Sequence, residues 1–293
     1  MITKVIKMKP LETKVDFLLT ENQYMLIAPV GDIHFGSEGF PTAHFRSHLE
    51  WCAERGAMFL GMGEYLDFAS WSQRNVLMPL RDETKLQIDE MVRDAADEFL
   101  QLAEFTKGRW LGMLEGDHRW IFQNGTSLDQ YLCEKFDCDF LGTSALLRLV
   151  PNGNYKGHPE ADCILYCHHG IGSSRTQGGH LHRVEDLLKI TEADIYLMGH
   201  THAQPAAPID TMTLTPDGKI VSRKKVIART GSFMRAYIGH EPLSLDEPAY
   251  ESRGSYVEQK AYVPASLGGM CIGIGVKQVE GSRYYHPTIH YRV

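Results

Sequence analysis

The chain has 293 residues, a formal net charge of −7 and 14 histidines. Hydrophobic residues make up 43% and charged residues 23%, the balance of an ordinary globular protein, which excludes disorder over the whole chain. The acidic charge excludes a surface that grips nucleic acid by bulk charge, and leaves room for a local basic groove or a metal-centred phosphate site.

No apolar run approaches the roughly 20 residues that a membrane span needs. Residues 1–10 alternate apolar and basic side chains, whereas a signal peptide carries a continuous apolar stretch. The cysteines are scattered without a Cys-x-x-Cys pair, and Cys163 and Cys167 sit inside an apolar run. Buried reduced thiols in a cytoplasmic protein are the simplest reading.

In chain order, residues 24–30 form an apolar run closed by Gly31 and predict a buried strand. Residues 41–53 predict a helix with Phe45, Leu49, Cys52 and Ala53 on one face, stopped by Gly56. A second strand covers 58–62. A long helix is expected over 82–107, with Ile88, Met91, Val92, Ala95, Phe99, Leu102 and Ala103 as its core stripe and Gly108 as its end. Strands follow at 110–114, 163–167 and 195–198, with a glycine-rich loop and a helix at 183–190 between the last two. Strands alternating with helices predict an α/β core. Pro216-Asp217-Gly218 marks a hairpin turn, and 270–276 and 284–293 read as further strands. Residues 235–268 have little periodicity, which suggests an irregular arm or lid and a possible route to a homo-oligomer. No repeat or linker divides the chain, so 1–293 is expected to be one domain.

Chemistry-bearing residues gather where the predicted strands end. Gly31-Asp32-Ile33-His34, Gly63-Glu64-Tyr65-Leu66-Asp67, Gly116-Asp117-His118, Cys167-His168-His169-Gly170 and Gly199-His200-Thr201-His202 come in this order. Carboxylates and imidazoles are the donors that divalent transition metals take. Strand alternation would place Asp32 with His34, and His200 with His202, on one face. The joint pattern predicts two metals at the carboxyl ends of a sheet and metal-assisted hydrolysis.

With these motifs the chain resembles the calcineurin-like metallophosphoesterase superfamily, whose pattern is Asp-x-His, Gly-Asp-x-x-Asp, Gly-Asn-His, a later His and Gly-His-x-His. The resemblance covers residues 31–202 and implies an α/β-sandwich of two central sheets flanked by helices, with a two-metal centre. It implies that Asp32, His34 and His202 hold one metal, that Glu64 bridges, and that Asp117, His168 and His200 hold the other, with His169 as the alternative to His168. It implies that His118 assists the leaving oxygen and that Asp67 orients His118. Mn is the first choice of metal, with Fe, Zn, Ni and Co also suited to these donors.

Two positions depart from that pattern. Glu64 stands where the family has Asp, and Asp117 where it has Asn. Two dications, three carboxylates and a bridging hydroxide then sum to zero charge instead of plus one; a mixed Fe(III)–M(II) pair restores the plus one. The Arg-Gly-containing motifs of the protein-phosphatase branch are absent. The expected activity is that of a phosphodiesterase or nuclease acting on nucleotides or nucleic acid, away from any membrane. A phosphomonoesterase, or a non-catalytic assembly protein on the same scaffold, is the alternative. Arg119, Arg175 with the glycine-rich loop 172–179, and the non-ligand histidine of the 168/169 pair are substrate-contact candidates, followed by His180 and His182. Trp120 is a candidate for the core or the site.

Overall fold

A computed structural model of the chain describes residues 5–8, 12–17, 24–77, 79–151, 155, 157–237, 256–259, 261, 263, 264 and 266–293. The first strands are β1 (Val5–Met8), β2 (Glu12–Phe17), β3 (Met25–Val30), β4 (Met58–Gly61), β5 (Trp110–Leu114), β6 (Phe140–Gly142), β7 (Ser144–Pro151) and β8 (Cys163–His168). They are followed by β9 (Ile195–Met198), β10 (Ala206–Leu214), β11 (Ile220–Arg229), β12 (Gly231–Ser232), β13 (Gly268–Gly269), β14 (Cys271–Gln278) and β15 (Tyr285–Arg292). The helices are α1 (Thr42–Glu54), α2 (Trp71–Leu77), α3 (Asp82–Leu102), α4 (Leu128–Phe136), α5 (Gln177–Glu185) and α6 (Tyr256–Gln259).

Two large sheets carry the fold. The six-stranded sheet runs β15-β14-β3-β4-β5-β6, and the seven-stranded sheet runs β1-β2-β7-β8-β9-β11-β10. Strands β3, β4, β5 and β6 are parallel, as are β8, β9 and β11. Ile27, Leu60 and Leu111 of the first sheet share one buried cluster with Leu147, Leu165, Leu197 and Ala228 of the second. The sheets therefore pack face to face. Along β7 the side chains alternate half-buried and buried, as a strand with one face on a core must.

The outer faces are covered by helices. Phe45 of α1, Val92 and Phe99 of α3, and Leu132 and Phe136 of α4 pack with Phe59 and Trp110 of the six-stranded sheet. Val184 of α5 packs with Tyr196, Met198 and Ile227 of the other sheet. The chain is mixed α/β, as the strand–helix alternation predicts. Among the described residues no helix is long and apolar enough to cross a membrane.

Several elements differ from expectation. The long helix stops at Leu102, and a 3-10 turn over Glu104–Thr106 leads to Gly108 at φ +74°. The helix expected at 183–190 begins earlier, at Gln177, where the Thr176 hydroxyl accepts the Gly179 N–H and caps it; a 3-10 turn covers Asp186–Lys189. Gly178 and Gly179 thus belong to α5 and not to an open loop. Of the proposed arm, residues 238–255, 260, 262 and 265 lie outside the described residues, as do 1–4 and 9–10 of the amino-terminal stretch.

Candidate metal centre

The loops leaving β3, β4, β5, β8 and β9 meet at one edge of the paired sheets. They are laced together by their backbones: Asp32 N donates to Gly63 O at 2.9 Å, His34 N to Glu64 O at 3.1 Å, and Gly199 N to His169 O at 2.7 Å. Asp32, His34, Glu64, His200 and His202 all have positive φ, between 47° and 71°. Left-handed backbone is costly for these residue types and collects at functional sites. It also corrects the expectation of strand alternation: a left-handed turn, and not a shared strand face, aims Asp32 and His34 together. His200 and His202 go to different groups.

Two glycines make the approach possible. A Cβ on Gly63 (φ +95°) would lie 2.5 Å from His169 Nδ1, and one on Gly116 would lie 2.3 Å from Glu64 N. Neither position has room for a side chain.

The donors form two groups that share one residue. Asp32, His34, Glu64 and His202 make the first, and Glu64, Asp117, His169 and His200 the second, with the donor atoms of each within 4.8 Å of one another. Glu64 turns one oxygen to each: Oε2 is 2.8 Å from His34 Nε2, and Oε1 is 3.3 Å from His169 Nε2. His200 Nδ1 is 3.2 Å from Asp117 Oδ2. Asp32 Oδ2 accepts the His200 N–H at 2.7 Å. A third group, His34, Asp67 and His118, adjoins them. Asp67 Oδ1 lies 3.1 Å from His34 Nδ1 and 3.4 Å from His118 Nδ1, so it contacts both imidazoles and not His118 alone.

His169, and not His168, joins the centre. It is 2% exposed, and its Nδ1 donates to the Met62 carbonyl at 2.7 Å. That bond fixes the tautomer and leaves Nε2 for the group. His168 is the last residue of β8, where alternation turns it away from the buried face; its Nδ1 accepts the Gly170 N–H at 2.9 Å.

The donor set fits divalent transition metals. Among the described residues Asp32 Oδ1, His169 Nε2 and His200 Nδ1 are buried without a hydrogen-bond partner, and His34 Nε2 faces His202 Nε2 at 3.1 Å. A cation shared among them would satisfy these atoms together. The electrostatics point the same way. Burial opposes charge on His34, yet its bonds to Asp67 and Glu64 carry it up to about 10. Burial likewise opposes charge on His169, while Glu64 raises it to about 9. Burial and the neighbouring His34 push His202 down to about 3. Burial would raise Glu64, but His169 and His34 hold it well below its usual range. Burial lifts the Asp32 carboxyl to about 6 against the pull of His169. The carboxylates thus draw positive charge into the cluster.

Other residues sort by distance. Arg119 Nη1 pairs with Glu115 Oε2 at 3.0 Å, and Arg175 and His182 are in none of the three groups. Trp120 is core, 3% exposed, donating to Asp89 Oδ1 at 2.5 Å. Sequence reasoning missed Arg74, whose Nη1 donates to the carbonyls of Ala69, Asp117 and Arg119 at 2.7, 2.6 and 3.0 Å and so holds the Asp117–His118 loop. The segment after β11 also borders the site: Ser232 Oγ donates to the Asp32 carbonyl at 2.8 Å, and Phe233 N donates to it at 3.0 Å. Arg229, fully buried behind Gly199, carried no signal, because an arginine ending a strand reads as surface. No protein-family model matches the chain, and no curated protein matches it.

Proposed function

We propose that the chain is a metal-dependent phosphoester hydrolase of the calcineurin-like metallophosphoesterase type, acting on phosphodiesters of nucleotides or nucleic acid. The observation that carries the reading is the pair of four-donor groups sharing Glu64, with His118 Nδ1 4.0 Å from Glu64 Oε2. Asp32, His34, Glu64 and His202 would hold one divalent ion, and Glu64, Asp117, His169 and His200 the other. Bound there, the ions supply Lewis-acid activation of water and neutralise charge on the phosphoryl group.

The chain's own residues do the rest. His118 turns Nδ1 to Asp67, which leaves Nε2 to protonate the departing oxygen. Its side chain is 31% exposed, open enough to meet a substrate. Asp67 stays ionised: burial would raise it, but His118 and His34 hold it below the usual carboxylate range. It therefore offers His118 Nδ1 a charged carboxylate oxygen at 3.4 Å.

The test is hydrolysis of bis(p-nitrophenyl) phosphate beside p-nitrophenyl phosphate, with Mn(II), with chelator, and for Asp32→Ala. Metal-dependent diester turnover, lost in the variant, is expected. Turnover of the monoester alone turns the reading to a phosphatase. No turnover with manganese bound turns it to a binding or assembly protein, the reading favoured by the added carboxylate of Asp117, whose side chain is 57% exposed.

A further inference from the structure

The cations of β11 have different fates. Arg223 pairs with Asp194, its Nε 2.7 Å from Oδ1, and Lys225 pairs with Glu192. Arg229, at the carboxyl end of the strand, is 0% exposed and the largest fully buried side chain of the chain's described residues. Among the described residues its guanidinium hydrogen-bonds only carbonyls: Nε donates to His180 O at 3.2 Å and Nη1 to Gly199 O at 2.6 Å. Among the described residues no carboxylate lies within ion-pair distance of it, and Nη2 has no partner.

Burying an unpaired guanidinium is among the more expensive things a fold does. Burial pulls this group down to about 10, which leaves it charged at neutral pH, and Asp32 opposes the fall. The position explains the attraction. Arg229 pairs in register with Met198 of β9, and it grips the carbonyl of Gly199, the residue before His200, whose N–H donates to Asp32. The charge lies immediately behind the donor loop.

The charge of the centre gives that position a use. Asp32, Glu64 and Asp117 offset three of the four positive charges of two dications. The anionic nucleophile of a hydrolysis offsets the fourth. A phosphoester anion would then meet a neutral site, in a chain that is acidic overall, and binding would lose its electrostatic drive.

We propose that Arg229 supplies the net positive charge with which the centre draws an anionic phosphoester. The proposal rests on reading the two donor groups as a two-metal site.

The experiment is calorimetric titration of inorganic phosphate into the manganese-loaded protein, with manganese content measured first. Wild type is compared with Arg229→Gln, which keeps an amide donor and loses the charge, Arg229→Lys, which keeps the charge, and Asp117→Asn. At full manganese, Arg229→Gln is expected to bind phosphate about tenfold more weakly. Arg229→Lys is expected to stay near wild type and Asp117→Asn to bind more tightly. Equal affinity of Arg229→Gln and wild type overturns the proposal. So does an Arg229→Lys variant as weak as Arg229→Gln, because the role is then one of shape and not of charge. If Arg229→Gln does not fold, Asp117→Asn decides: phosphate affinity that does not rise overturns the charge argument. A wild type that takes up no manganese sinks the two-metal reading itself, whereas a wild type that binds manganese but not phosphate sinks only the charge proposal.

Discussion

At the scale of single residues, the centre depends on which donors are buried with nothing to bond. His169 and His168 are adjacent in sequence and opposite in role: one is fixed by the Met62 carbonyl with Nε2 aimed at Glu64, the other caps Gly170. His169→Ala is therefore expected to lower bound manganese from about two ions per chain to about one, while His168→Ala leaves it unchanged. Metal analysis after gel filtration reads this directly, and equal losses in both variants would refute the assignment. The residue types of the site were legible in the sequence because Asp, Glu and His cluster after apolar runs. The choice between neighbouring histidines was not, since it turns on the register of β8. Arg229 was not legible either, because burial is what distinguishes it and a strand end predicts exposure.

At the scale of elements, α4 is tied to the segment that follows the Gly116–His118 loop, its Leu128 N donating to the Trp120 carbonyl at 2.8 Å. Asp129, in its first turn, is 2% exposed; burial raises its carboxyl to about 7 with Arg119 opposing. A carboxyl raised above its unfolded value contributes stability that is full below about pH 4 and is lost as pH rises through about 7. Asp129→Asn removes that loss. In chelator-treated protein the wild-type melting temperature is expected to fall between pH 4 and 7 relative to the variant, by on the order of 5 °C. Parallel curves would count against it. Helix α4 went unread from sequence despite its Ser127–Gln130 capping box, because nine residues give too short a periodicity. Strand β7 went unread because Arg148 and its other half-buried positions dilute the alternation. The wholly buried strands β5 and β9, and β3, buried at every position but Leu26, were legible as unbroken apolar runs.

At the scale of the whole molecule, the centre is also a question of stability. Donor atoms of three carboxylates and four imidazoles gather at the meeting edge of the sheets, and the proposed ions would bind the folded chain in preference to the unfolded one. Mn(II) is expected to raise the melting temperature with the logarithm of its concentration, worth about 2.7 kcal/mol at one hundred times Kd. Chelator is expected to reverse the rise; a melting temperature indifferent to both would exclude a folded metal site. The division of donors between the layers carries a further consequence. Asp32, His34, Glu64 and Asp117 leave strands of the six-stranded sheet, whereas His169, His200 and His202 leave strands of the seven-stranded one. The first donor group draws three of its four members from one sheet, and the second draws two from each. The sheets must be docked for either group to be complete, and the second group, split evenly, loses half of its donors if they part. On the two-metal reading, the second ion would therefore clamp one layer to the other.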